Sequence, residues 1–163
     1  MIESSFNFNS HNYALTITEK IADIKSEWEN LAGNNVYLQT RYLDLLEKFG
    51  PLTYHYYYAC AKKDGIPVGI IYFQRKQVDL SKDFRIHTHS KNPLAKIRVS
   101  FLKWFFRFLK SDLLIMGNVL LTGEYAFRFL DNMSQDEQNE ILDHTINEVK
   151  SFVKSTSGHK IKT

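Results

Sequence analysis

The sequence predicts an α/β (α+β) domain, a mixed and mostly antiparallel sheet flanked by helices. Three observations carry that prediction. An aromatic, β-prone stretch at 52–61 and a second at 67–78 enclose the turn Lys62-Lys63-Asp64-Gly65, and Asp-Gly is a strong hairpin signal. Two helical periods precede the hairpin and another closes the chain. Between them lies an aliphatic run, LLIMGNVLL from Leu113, of the kind found in strands covered on both faces. A chain of 163 residues with 44% hydrophobic and 14% aromatic content suits one domain with a packed core.

Residues 1–12 are rich in Asn and Ser and read as a loose lead-in to a single domain spanning 13–163, with a first strand at 13–18. Ile21, Ile24, Trp28 and Leu31 then recur at helical spacing, and Gly33 with Asn34 and Asn35 supplies a stop. A second helix is expected at 39–49, with Tyr42, Leu43, Leu45 and Leu46 as its apolar face and Gly50-Pro51 ending it. In the hairpin, Ile70, Tyr72 and Gln74 alternate with Gly69, Ile71 and Phe73, so both faces are apolar near the middle, as in a central pair. Residues 79–93 are polar and read as a long connection, a feature usually functional or mobile.

In the segment 94–110, Ile97, Phe101, Trp104, Phe105 and Phe108 fall on one helical face, with Lys96, Lys103, Arg107 and Lys110 on another. A core-packing helix with a solvated basic face is the favoured reading, and a helix that docks a partner or a membrane surface is the alternative. It cannot span a bilayer, which takes roughly 20 largely uncharged residues. The stretch 113–129 follows as the organising strand. Ser134 and Glu137 then form a capping-box pattern, and Ile141, Leu142, Thr145, Ile146, Val149, Phe152 and Val153 make one buried stripe. Gly158 suits a C-terminal cap, and His-Lys-Ile-Lys-Thr beyond it reads as the start of another strand. The sheet is therefore expected to be incomplete at the C-terminus, and its unpaired edge offers a route to a homodimer.

The formal charge of +3 is too mild to indicate nucleic acid. Cys60, the one cysteine, sits in a strand-like context and reads as a buried, inert thiol. The opening residues MIESSFNFNSHNYAL contain Glu3 and no long apolar core, so no signal peptide is expected and a cytoplasmic location follows. His87 and His89, near Asp79 and Asp83, would share one side of an extended segment, but an exposed polar loop explains them equally well, and no metal site is assigned. His55 and His144 read as structural. Neither a Walker-type or dinucleotide glycine loop nor a G-x-S-x-G elbow is present. At the polar end of the organising strand, Gly117 suits a bulge or close backbone approach, and Gly123 a turn that brings Thr122 and Glu124 to solvent. Glu124 is the candidate acid or base, and a helix cap, turn acceptor or plain surface acid are its competing readings. Asn118, Thr122 and Tyr125 are the candidate substrate-facing residues.

The element order and several residue groups resemble the Gcn5-related N-acetyltransferase (GNAT) superfamily, in its two-lobed branch related to Fem-type aminoacyl and peptidoglycan-precursor transferases. Trp28-Glu29-Asn30-Leu31 and Tyr37-Leu38-Gln39-Thr40, with Tyr42-Leu43 and Leu46-Glu47, are similar to that branch's opening helices. Lys63-Asp64-Gly65-Ile66-Pro67-Val68-Gly69 resembles its hairpin, and Met116 to Tyr125, MGNVLLTGEY, the segment bearing the candidate residues. The resemblance covers about residues 13–163 and implies transfer of an acyl group to an amine, with acetyl-CoA or another acyl donor. It also implies that a Q/R-x-x-G-x-G/A loop and the next helix N-terminus hold the donor's pyrophosphate. Here that loop is Leu130 to Asp136, LDNMSQD, with no glycine and two acids, so it would repel pyrophosphate. The chain is then expected to correspond to the N-terminal part of such an enzyme, with the acyl-donor site in a C-terminal half.

Overall fold

The structure, a computed structural model, describes residues 1–79, 110–118 and 126–157. Its first element corrects the expectation for the N-terminus. Ile2–Phe8 forms β1, paired antiparallel along its whole length with β2, His11–Thr18. The Asn and Ser content conceals a period of two, in which Ile2, Ser4, Phe6 and Phe8 are half-buried while Glu3, Ser5 and Asn7 are exposed. Asn9 and Ser10, at φ 47° and 65°, close the two-residue turn in the left-handed region, a geometry whose twist matches that of the strands.

The expected hairpin is present as β3, Tyr54–Lys63, and β4, Ile66–Asp79, closed by Asp64 and Gly65 at φ 50° and 85°. The two hairpin turns are joined. The Asp64 amide donates to the Asn12 carbonyl at 2.9 Å, and the Asp64 carboxylate meets His11 Nδ1 at 2.8 Å and the Asn12 amide at 3.2 Å. The His11 contact holds the Asp64 carboxyl below the usual carboxylate range. β5, Lys110–Met116, and β6, Phe127–Phe129, complete a six-stranded sheet ordered β1-β2-β3-β4-β5, with β6 also on β4. Every pairing among the described residues is antiparallel.

Both faces of the sheet are covered, which explains the uniformly apolar look of β3 and β4. Tyr57, Ala59, Ala61, Ile71 and Phe73 join one core; Tyr56, Tyr58, Cys60, Ile70 and Tyr72 join the other. α1, Lys25–Ala32, and α2, Thr40–Phe49, lie over the second face. Trp28 is fully buried there, its Nε1 donating to the Leu38 carbonyl at 2.6 Å and its ring edge-on to Tyr58. Leu43, Tyr42 and Leu46 pack inward as expected, but Leu45 does not: it is 54% exposed, one turn from Phe49 at 79%. Cys60 is buried as read, and desolvation pushes its thiol up to about 11.

The first face is covered by α3, Gln135–Ser157, whose buried stripe is the one the sequence shows. Ser134 and Glu137 make the capping box: the Ser134 amide donates to the Glu137 carboxylate at 3.2 Å, and the Glu137 amide to Ser134 Oγ at 3.3 Å. The other Glu137 oxygen accepts from Lys63 Nζ at 2.6 Å and Tyr13 Oη at 2.8 Å, and those two residues face each other across β2 and β3. The helix start is thereby tied to the sheet. Lys63 first, then Tyr13 and the Ser134 amide, hold the Glu137 carboxyl well down, at about 2.

The stretch 113–129 departs most from expectation. It is two strands rather than one, and on the described part of the sheet it forms the outer edge, with Leu113 and Met116 exposed. A run of aliphatic residues reports β-propensity without reporting which faces are covered. The expectations for 80–109, including the aromatic-basic helix at 94–110 and the His87/His89 pair, and for the C-terminal strand after residue 157, lie outside the described residues.

Two predictions follow from the packing. The pairing of Glu137 stabilises the fold above the unfolded carboxyl's value of 4.5, and that contribution is lost as pH falls toward 2. Urea midpoints measured across that window should therefore fall more steeply for the wild type than for Glu137→Gln; parallel curves would rule the linkage out. At Gly69, an added Cβ would lie 2.4 Å from two Phe129 ring carbons. Gly69→Ala should cost about 1–3 kcal/mol and speed hydrogen exchange at the Leu130 amide, which donates to Val68 O at 3.0 Å.

Candidate functional site

One edge of β4 is shared by two strands. β5 pairs with it from Asp79 back to Phe73, β6 from Ile71 to Gly69, and Tyr72 lies between. The Tyr72 carbonyl accepts the Gly117 amide and the Tyr72 amide donates to the Ala126 carbonyl, both at 2.7 Å. Gly117 has φ 98°, and a Cβ there would lie 3.1 Å from that of Ala126. The expected close approach at Gly117 is thus a junction: the residue that follows β5 and the residue that precedes β6 are both bound to the backbone of Tyr72.

Asn118, the first residue past the junction, reaches α2, where its Nδ2 donates to Tyr42 Oη at 2.9 Å. The Tyr42 ring meets Tyr37 edge-on at 5.5 Å. Beneath α2, Tyr72 stacks with Tyr58 at 5.6 Å and with Tyr56 at 6.4 Å, three phenols on one face of β3 and β4. Burial raises all three, so at neutral pH they are uncharged hydrogen-bonding groups and not bases. The Tyr72 hydroxyl accepts from Gln74 Nε2, whereas the fully buried Tyr58 hydroxyl has no hydrogen-bond partner among the described residues. Glu47 lies close enough to raise the phenols further, and its Oε1 accepts the Ile21 amide at 2.7 Å.

Below the junction β5 is held by an ion pair between Arg75, 5% exposed, and Asp112 at 2.7 Å. The same guanidinium partly offsets the rise that burial causes in Tyr57. At the far side of the junction Arg128 projects from β6 toward Gly33.

Of the sequence-derived candidates, Asn118 is placed at the junction, while Thr122, Glu124 and Tyr125 lie outside the described residues. Tyr42, Tyr72 and Arg128 were not singled out from sequence as site residues. The Tyr pattern reads equally as core, and Arg128 could be found only from the alternation Phe127-Arg128-Phe129, which sets one charge between two rings. Among the described residues no group of three His, Cys, Asp or Glu is placed to hold a metal, and no helix is long and apolar enough to cross a membrane.

The start of α3 does not fit the pyrophosphate of coenzyme A. Its capping box already occupies the Ser134 and Glu137 amides, and Asp136 and Glu137 stand in the first turn. No family model, curated protein or solved structure matches this chain.

The junction depends on a backbone conformation that L side chains rarely adopt. Gly117→Ala should destabilise by about 1–3 kcal/mol in chemical denaturation and weaken protection of the Gly117 and Tyr72 amides. Unchanged stability would show that the junction relaxes without cost.

Proposed function

We propose that this chain is an acyltransferase-type domain that presents an amine-bearing acceptor at the Gly117–Asn118 junction. The observation that carries the reading is the break in the strand beside β4, which sets a polar pair, Asn118 and Tyr42, against a tyrosine-lined face. The described order of two helices, a hairpin and a long closing helix supports it, being the order in which the GNAT resemblance places those elements. Tyr42 fixes the orientation of the Asn118 side-chain amide, a polar group of the kind that positions an amine. An amine attacks an acyl carbon only after losing a proton, and Glu124 is the proposed acceptor of that proton. Since the start of α3 does not suit a pyrophosphate, the donor is gripped by other parts of this chain.

Acetyl-CoA, the acyl donor the resemblance names, is titrated in thermal melts, and it should stabilise the wild type by about 2.7 kcal/mol at a hundredfold excess over its dissociation constant. Glu124→Gln should keep that stabilisation while lowering acyl transfer to a primary amine by about 100-fold or more. No stabilisation by saturating acetyl-CoA would overturn the catalytic reading for this chain.

A further inference from the structure

A cleft of about 400 Å³ opens where β6 meets the start of α3 and the loop after α1, lined by Asn35, Phe127, Arg128, Gln135 and Gln138. From the polarity of these groups we infer that the cleft binds a small ligand carrying both a carboxylate and an ammonium group, that is, an amino acid or a short peptide. The inference stands whether or not the chain transfers acyl groups.

Arg128 supplies the first half of the match. Its guanidinium lies against Gly33, where a Cβ would stand 2.8 Å from Nη1, so a bare backbone at φ 55° makes room for it. Among the described residues it has no ion pair or hydrogen bond, and its planar fork is suited to a carboxylate. Asn35 adds a donor. Its Oδ1 already accepts the Tyr37 amide at 3.1 Å, which leaves its amide nitrogen to face a ligand.

The two glutamines supply the second half. Gln138 Nε2 donates to the Met133 carbonyl and Gln135 Nε2 to Asn139 Oδ1, both at 3.1 Å, so each is oriented with its amide oxygen left to accept. Two acceptor oxygens suit an ammonium group and oppose the oxygens of a phosphate. Asp136 and Glu137 in the first turn of α3 act in the same direction. Phe127 adds an apolar surface to the lining. The volume lies within the range of about 300–1,000 Å³ typical of small-molecule sites.

The test is a titration of the chain, followed by amide chemical shifts, with alanine, Ala-Ala, Ala-Ala carboxamide, N-acetyl-Ala-Ala and inorganic phosphate. Saturable binding of alanine or Ala-Ala is expected, and whichever binds tighter tells a free amino acid from a peptide. Blocking either end of Ala-Ala should weaken binding by about tenfold or more. Arg128→Ala should do the same with an unchanged melting temperature, because Arg128 is exposed, and Arg128→Lys should restore only part of the affinity, since it keeps the charge without the fork. The proposal is overturned if neither alanine nor Ala-Ala binds saturably, if the blocked peptides bind as well as Ala-Ala, or if phosphate competes on equal terms.

Discussion

The backbone of Tyr72 is the constraint on which the rest of the sheet edge depends. Its carbonyl and amide point the same way along one edge of β4, yet they bind two different strands, one that has just ended and one that is about to begin. A single residue therefore sets the distance between Gly117 and Ala126. Both neighbours must be small for that distance to hold, and they are glycine and alanine. The Tyr72 side chain meanwhile stacks under α2, so the helical layer and the broken edge are fixed by the same residue.

A second constraint acts on the opposite face. Glu137 belongs to the cap of α3 and also to a three-way contact with Tyr13 and Lys63, so one carboxylate closes a helix end and anchors it to two strands. Its side chain is only 15% exposed, where screening is weaker than at the surface. The capping that makes α3 a good helix is also what makes its start a poor phosphate site, because the Ser134 and Glu137 amides are already bound and two acidic residues stand in the first turn.

The fold class was legible in the sequence wherever periodicity and turn chemistry agreed. The Asp64-Gly65 hairpin, the spacing of Ile21, Ile24, Trp28 and Leu31, and the Ser134–Glu137 box each combine two independent local signals. β1 was not legible, because the turn Asn9-Ser10 lacks the glycine that marks most such hairpins and the half-buried face of the strand includes Ser4. The run from Leu113 misled in the opposite sense: hydrophobicity cannot distinguish one long buried strand from two short ones sharing an edge. The candidate site was legible only at Gly117 and Asn118. Tyr42 and Arg128 take their meaning from partners about 76 and 95 positions away, Asn118 and Gly33, and no local pattern encodes such pairs.

Because Gly117 and Ala126 are held side by side by the one backbone of Tyr72, the two ends of the intervening sequence are fixed independently of its length. Joining two fixed ends costs entropy that grows only with the logarithm of the number of residues between them, about 0.6 kcal/mol for each doubling. Sequence could thus be added or removed between Gly117 and Ala126 without shifting the register of β5 or β6. The pair is a mounting point, at which new binding surfaces can be tried by descent or by design while the sheet behind them stays the same.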